Sequence, residues 1–382
     1  MAAGDVDVVL RAPRMVSGGV ETEDGWVAIR GGTISATGTG TAPAAESVIR
    51  AGGVLVPGYV DIHCHGGGGA AFADGVEATR TALAYHRSHG TTRSVLSLVT
   101  AGIEELTEQV RTLARFIAAD PLVLGIHLEG PFLSPDHRGA HDESLLIAPE
   151  PGDVEALITA AQGHLAQVTI APELPGAHGA IERFSRAGVR VAVGHSAVDY
   201  DQAVAAFEAG ASILTHAFNA MRPMHHRAPG PVLAAVEQDQ VTCEVINDGV
   251  HVHPRVVRLL HDLAGQNVAY VTDAMAAAGC PDGAYELGGL AVTVKDGVPR
   301  LDDTGSIAGS TLTMDAAVRQ AVQIGIPLPE AVTAATLTPA RALGLAHRFG
   351  ALAPGYPADA VLLDADLRVE QVWADGQAIH RN

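Results

Sequence analysis

Eight short apolar runs, spaced through the middle of the chain and separated by segments of helical periodicity, limit the possible folds more than any other feature. They are VLVPGYVDIHCH (54–65), RSVLSLVT (93–100), LVLGIHLE (122–129), QVTIAPE (167–173), RVAVGHS (190–196), SILTHAFN (212–219), VTCEVIND (241–248) and NVAYVTDA (267–274). Short aliphatic and β-branched runs bounded by turn residues read as buried strands. Between them, GVEATRTALAYHRSHG (75–90), IEELTEQVRTLARFIAAD (103–120) and DYDQAVAAFEAG (199–210) read as amphipathic helices, the last stopped by glycine. Strand–helix alternation repeated eight times predicts an α/β fold, a (β/α)8 TIM-like barrel.

The two ends of the chain read differently. Residues 5–55 and 352–381 are short alternating strands with glycine-rich turns, and neither set can bury a core alone. They are expected to meet as one small β-sandwich domain, residues 1–56 plus 345–382, with the barrel over 57–344. Segment 284–304 reads as hairpin, and helices near 313–324 and 329–344 close the large domain.

Composition sets the class of partner. The formal net charge of −19 on 382 residues opposes binding to nucleic acid or an anionic membrane, but leaves room for a small phosphorylated ligand held by a local basic cluster. Three cysteines without a CxxC pair suggest a reducing compartment. The first residues carry early acidic groups and no secretion-type apolar stretch, and no run approaches a membrane span. A cytoplasmic location is the expectation.

Polar residues fall where such barrels carry their active sites. His63, His65, Glu129, His195, His216 and Asp273 stand at or near the C-terminal ends of five different runs, the catalytic face of the fold. In HCH, residues i and i+2 of a strand share one face, so His63 and His65 can converge on one ion, while the glycines after them let the backbone turn tightly. Histidines with a carboxylate suit Zn²⁺, Fe²⁺, Mn²⁺, Co²⁺ or Ni²⁺, with zinc the leading choice; one or two ions fit, Glu129 bridging in the second case. The chemistry such a centre serves is hydrolytic, with Asp273 as the group that accepts and returns a proton. MRPMHHR (221–227) concentrates Arg222, His225, His226 and Arg227 just after His216, in a strongly acidic chain, and reads as a phosphate clamp.

PGYVDIHCHG resembles the opening signature of the amidohydrolase superfamily, and GALAPGYPADAVLLD its closing strands. Within it, GIHLEGPFLSPDHRGAH, VAVGHS, THAFNAMRPMHHRAPG, INDGVHVHP, VTDAM and AGSTLTM resemble the N-acetylglucosamine-6-phosphate deacetylase family, in order and across nearly the whole chain. The resemblance implies removal of the acetyl group of N-acetylglucosamine 6-phosphate in amino-sugar catabolism and cell-wall sugar recycling. Glu129, His195 and His216 would hold the principal metal, and His63 and His65, with Glu129 and Asp273, a second. Asp273 would shuttle the proton, and His141 would hydrogen-bond the acetyl oxygen. Ala140, Asn219, Ala220, Arg227 and His251 would bind the sugar phosphate, and the backbone of Ile307, Ala308 and Gly309 would line the sugar pocket. Arg227 is expected to reach in from a neighbouring subunit, implying a homodimer. RAPG departs from the family in having no acidic residue after the arginine.

The competing readings are another amidohydrolase, acting on a cyclic amide or an N-acyl amino acid, and a non-catalytic sugar-phosphate-binding protein. Many relatives of the first kind bridge two metals with a carboxylated lysine on a barrel strand. The sole lysine here, Lys295, lies in the hairpin segment, so Glu129 must serve. Among the remaining residues, His127 reads as a partner behind the site, Cys64 as packing, His253 as a helix cap, and His86 and His89 as surface or helix-end residues.

Overall fold

The structure, a computed structural model, describes residues 6–381; the first five residues of the N-terminal stretch read as free of a secretion signal lie outside them. Two compact units are present. One gathers residues 6–61, Ala84–Arg93 and 313–381; the other comprises Ile62–Leu83 and Ser94–Leu312.

In the first unit, strands from both chain ends form one continuous sheet. Its order is Gln377–Arg381, Val369–Ala374, Ala360–Leu363, Val54–Pro57, Val8–Ser17, Val20–Arg30, Thr33–Thr39, with Ser47–Arg50 also paired to Val8–Ser17. The alternation of the sequence explains its core: Leu10 and Ala12, Val27 and Ile29, and Ala360 and Leu362 are two apart, so each pair faces one cluster with Ile34, Leu55 and Trp373. Arg93 is buried in this unit and bonds both oxygens of Asp359, at 2.6 and 2.9 Å, so its charge is matched rather than stranded.

The second eight-stranded sheet holds the predicted strands in chain order: β1 (Tyr59–Asp61), β2 (Thr91–Val99), β3 (Val123–Glu129), β4 (Leu165–Ile170), β5 (Arg190–Val193), β6 (Ala211–Leu214), β7 (Thr242–Val245) and β8 (Val268–Tyr270). From β2 to β8 the ladders are all parallel. Helices follow the strands, as parallel connections require. Helix Ile103–Ile117, after β2, buries Leu106, Val110, Leu113, Ala114 and Ile117, one face at helical spacing. Helix Tyr200–Glu208, after β5, starts at Asp199, whose side chain accepts from the Gln202 N–H while Gln202 returns the bond, a capping box.

After β8 comes the expected hairpin material, a three-stranded antiparallel sheet of Gly283–Leu287, Leu290–Lys295 and Val298–Leu301. It packs through Leu287, Val292 and Leu301 on Met275, Val99 and Ala140, which brings it to the C-terminal rim of the strands. Lys295 is exposed there. Of the two readings of His86, surface or helix end, the second holds: it lies in the last turn of helix Val76–Ser88 and is buried there. His253 caps helix Pro254–Ala264 as expected, accepting from the Arg255 N–H. Among the described residues no helix is long and apolar enough to cross a membrane.

Candidate metal centre

The rim residues are supplied by strand ends and the turns after them. Glu129 is the last residue of β3, and His195 and His216 each stand two residues past β5 and β6. The latter two and Asp273 adopt left-handed backbone, with φ of 46°, 27° and 47°. Such conformations cost a non-glycine residue roughly 1–3 kcal/mol and persist only where surrounding bonds over-determine them. Those bonds are present: the His195 carbonyl accepts from the Ser134 N–H at 2.9 Å, the His216 carbonyl from Asn219 at 3.0 Å, and the Asp273 carbonyl from Ser310 at 2.7 Å.

Glu129 is the hub. Its Oε1 lies 3.2 Å from His195 Nε2, 3.0 Å from His216 Nε2 and 3.3 Å from His63 Nε2. Its Oε2 lies 3.0 Å from His65 Nε2 and 3.6 Å from His141 Nε2. Asp273 Oδ1 completes the first-strand side, 3.4 Å from His63 Nε2 and 3.2 Å from His65 Nε2. His63, His65, Glu129 and Asp273 therefore form one potential ligand group, and Glu129 with His195, His216 and His141 a second.

The donor chemistry fits cations. His195 donates Nδ1–H to the His137 carbonyl at 3.0 Å, which leaves Nε2 a bare lone pair. Yet that Nε2 sits 2.9 Å from His216 Nε2 and 3.2 Å from a carboxylate oxygen. Lone pairs crowded at this spacing repel unless a positive charge stands among them. Ligands at the corners of a tetrahedron around zinc are about 3.3 Å apart, near the separations found here.

Electrostatics follow the same arrangement. Burial resists ionisation of Glu129, but His63, His141, His195 and His216 outweigh it and hold the carboxyl well below its ordinary range. Burial likewise opposes charging of His65, but Asp273 and Glu129 raise it to about 9. His195 goes the other way: burial dominates and lowers it to about 4.

A cavity of about 420 Å³ opens onto these atoms and is lined also by Ala140, Asn219, Ala220, His251, Ile307 and Gly309. His251 Nδ1 is tied to Asp248 at 2.6 Å. Two predicted residues stand apart. Ala308 is fully buried, its side chain in the small core beneath the hairpin sheet, so only its backbone neighbours face the cavity. Arg227 is exposed beside His226, with 2.7 Å between Nη1 and Nε2, and does not line this cavity. A larger cavity of about 690 Å³ shares His65, Val99 and Leu287 with the first, but touches neither His195 nor His216.

Several residues the sequence reading passed over support the site. Thr100 Oγ1 lies 2.8 Å from His141 Nδ1. Glu244 lies 3.1 Å from His63 Nδ1. His127 is, as expected, behind the site, bonded to Ser97 and Thr169. Glu244 had a visible signal: a carboxylate in the middle of an otherwise apolar strand, VTCEVIND.

The amidohydrolase family model matches residues 54–379. The chain is 40% identical to an N-acetylgalactosamine-6-phosphate deacetylase of Escherichia coli O157:H7, across 97% of this chain and 98% of that one. It is 34% identical to N-acetylglucosamine-6-phosphate deacetylase of Vibrio furnissii, across 97% and 94%. Its fold superimposes on a mutant of N-acetyl-D-glucosamine-6-phosphate deacetylase from Mycobacterium smegmatis in complex with N-acetyl-D-glucosamine-6-phosphate, with TM-score 0.94, 45% identity and coverage of 98% and 99%. With a family match over most of its length, and relatives of this similarity spanning both chains, the protein belongs to the amidohydrolase family, alongside its amino-sugar-phosphate deacetylases.

Proposed function

We propose that the protein hydrolyses the acetamido bond of N-acetyl-D-glucosamine 6-phosphate, giving D-glucosamine 6-phosphate and acetate. The observation that carries this reading is Glu129, whose two oxygens join two groups of imidazoles at the mouth of a cavity of sugar size. Glu129, His195 and His216 would hold one divalent ion, zinc in the first instance, and His63, His65 and Asp273 with Glu129 a second. A divalent ion there supplies Lewis acidity, which makes a nearby water acidic near neutral pH.

The chain's own groups do the rest. Asp273, held anionic because His63 and His65 outweigh its burial, takes the proton of the attacking water and delivers it to the departing amine. His141 accepts from the Thr100 N–H through Nδ1, so its hydrogen is on Nε2, where it can donate to the acetyl oxygen as negative charge develops. Asn219, the backbone of Ala220 and His251 bind the sugar phosphate, with Ala140 and the backbone of Ile307–Gly309 along the sugar. Arg227 completes the phosphate site from the neighbouring subunit of a homodimer, which explains its exposure and its distance from the cavity of its own chain. The working compartment is the cytoplasm.

The E. coli relative favours a second substrate, the 4-epimer N-acetyl-D-galactosamine 6-phosphate. Acetate release from both sugar phosphates, with and without a chelator, tests the proposal. The expected result is chelator-sensitive release restored by zinc or another divalent ion, faster from the glucosamine derivative. Faster turnover of the galactosamine derivative would transfer the assignment to the epimer, and tight sugar-phosphate binding without acetate release would remove the enzyme reading.

A further inference from the structure

Beneath the rim the barrel interior departs from the branched apolar filling usual for this fold. On β7, Glu244 is fully buried, and among the described residues its ion-pair partner is a histidine rather than lysine or arginine. Its Oε1 accepts from Gln167 Nε2 at 2.8 Å. Its Oε2 lies 3.1 Å from His63 Nδ1 and accepts from the backbone N–H of His216 at 3.4 Å. A carboxylate only accepts, so the first of these bonds places hydrogen on His63 Nδ1 and turns the Nε2 lone pair toward Glu129 and Asp273. The second fixes the backbone that carries His216 into the other ligand group. One oxygen therefore reaches both halves of the centre. Around it, His127 sets its ring edge-on to His63, centroids 4.6 Å apart, with its own nitrogens held by Ser97 Oγ and Thr169 Oγ1.

We infer that Glu244 is the positioning residue of the metal centre, selecting the tautomer and aim of His63 and tying the His216 backbone to the same carboxylate. This rests on the metal-centre reading above. A buried carboxylate whose ion-pair partner among the described residues is neither lysine nor arginine is costly, and glutamine would fill the same space with less penalty. A charge in this position answers to the ion that His63 would hold.

The test is zinc binding by the full-length protein, measured by competition against a chromophoric chelator. Glu244→Gln keeps the shape, and its amide can donate to Nδ1, which favours the wrong tautomer. The zinc affinity of the His63-dependent ion should fall 10- to 100-fold, the usual cost of losing such a partner, with the folded circular dichroism spectrum retained. His63→Asn should remove the same ion, and the double variant should be no worse than His63→Asn alone. Zinc affinity of Glu244→Gln within twofold of wild type, or additive losses in the double variant, would overturn the inference. A measurement on the wild-type protein covers the case in which the variant does not fold. In the zinc-loaded, ¹⁵N-histidine-labelled protein, His63 should show an exchange-protected hydrogen on Nδ1, and a bare Nδ1 would overturn the assignment equally. Zinc binding with these properties but no acetate release would defeat the deacetylase reading alone.

Discussion

His141 is a donor only if something keeps the hydrogen off its other nitrogen, and Thr100 is the group placed to do so. The Thr100 hydroxyl is 2.8 Å from Nδ1, while the Thr100 backbone N–H is a longer 3.4 Å. In Thr100→Val the hydroxyl is lost and only the long bond remains. A neutral hydrogen bond contributes about 0.5–1.5 kcal/mol net. If that bias holds the reactive tautomer, its loss lowers kcat by about 2- to 10-fold, at 1.4 kcal/mol per factor of ten. Removing the donor itself, in His141→Ala, should cost about 100- to 1,000-fold, as expected for one oxyanion contact. Gly130 supplies a third perturbation. Its φ is 98°, and an added Cβ would stand 2.1 Å from Thr100 Oγ1, so Gly130→Ala displaces the same hydroxyl from the glycine side. The assay is steady-state acetate release with metal content matched between variants. Thr100→Val should lower kcat with little change in KM, and should add nothing in the His141→Ala background. An unchanged kcat in Thr100→Val, or a further loss on top of His141→Ala, would refute the tautomer argument.

Asp273→Asn should lower turnover by about 100- to 10,000-fold while zinc and sugar phosphate still bind, because proton transfer fails in an intact pocket; near-normal turnover would remove Asp273 from the mechanism. Arg227→Ala should raise KM for the phosphorylated sugar far more than for its unphosphorylated analogue, and equal effects on both would remove its phosphate role. His261, bonded to Tyr270 Oη at 2.8 Å, is held down to about 4, chiefly by burial and then by Arg258. Between about pH 6.5 and 4 the unfolded chain takes up this proton and the folded one does not, so stability falls as pH falls, by about 3 kcal/mol over the window. His261→Phe should flatten the dependence of Tm on pH in that range, and an unchanged slope would exclude His261 as its source.

The residues that could be read from the sequence are those whose position and type reinforce each other. The eight strands are legible because buried parallel strands must be short continuous apolar runs, and the first seven are each followed by a helix before the next strand begins. Glu129 and the histidines are legible because a polar residue closing such a run falls at the rim, where the structure brings these side chains together. Glu244 and Gln167 lie mid-strand, where the sequence shows only an interruption in an apolar run; that the interruption points inward beneath His63 depends on register across the sheet. The left-handed backbone at His195, His216 and Asp273 left no sequence trace, since nothing in a histidine or an aspartate announces a positive φ. The burial of His86 is hidden for a related reason: at a helix end the sequence does not show which residues the fold packs around a side chain.

The His63, His65 and Asp273 half of the centre sits where the strand order ends. No ladder joins β8 back to β1 among the described residues. The two ends of the sheet meet just beyond the strands instead, where the Asp273 N–H donates to the His63 carbonyl at 2.8 Å and the His65 N–H donates to the Ala274 carbonyl at 2.8 Å. The backbone bonds that draw these ends together are thus made by three proposed ligands, His63, His65 and Asp273, and by Ala274 beside the last of them. An ion held by His63, His65 and Asp273 would clamp the same seam from the side-chain side. Metal binding and closure of the rim would then be one equilibrium. Zinc should stabilise the fold by an amount that grows with the logarithm of its affinity for this group, since a ligand bound only by the closed form adds its binding free energy to folding.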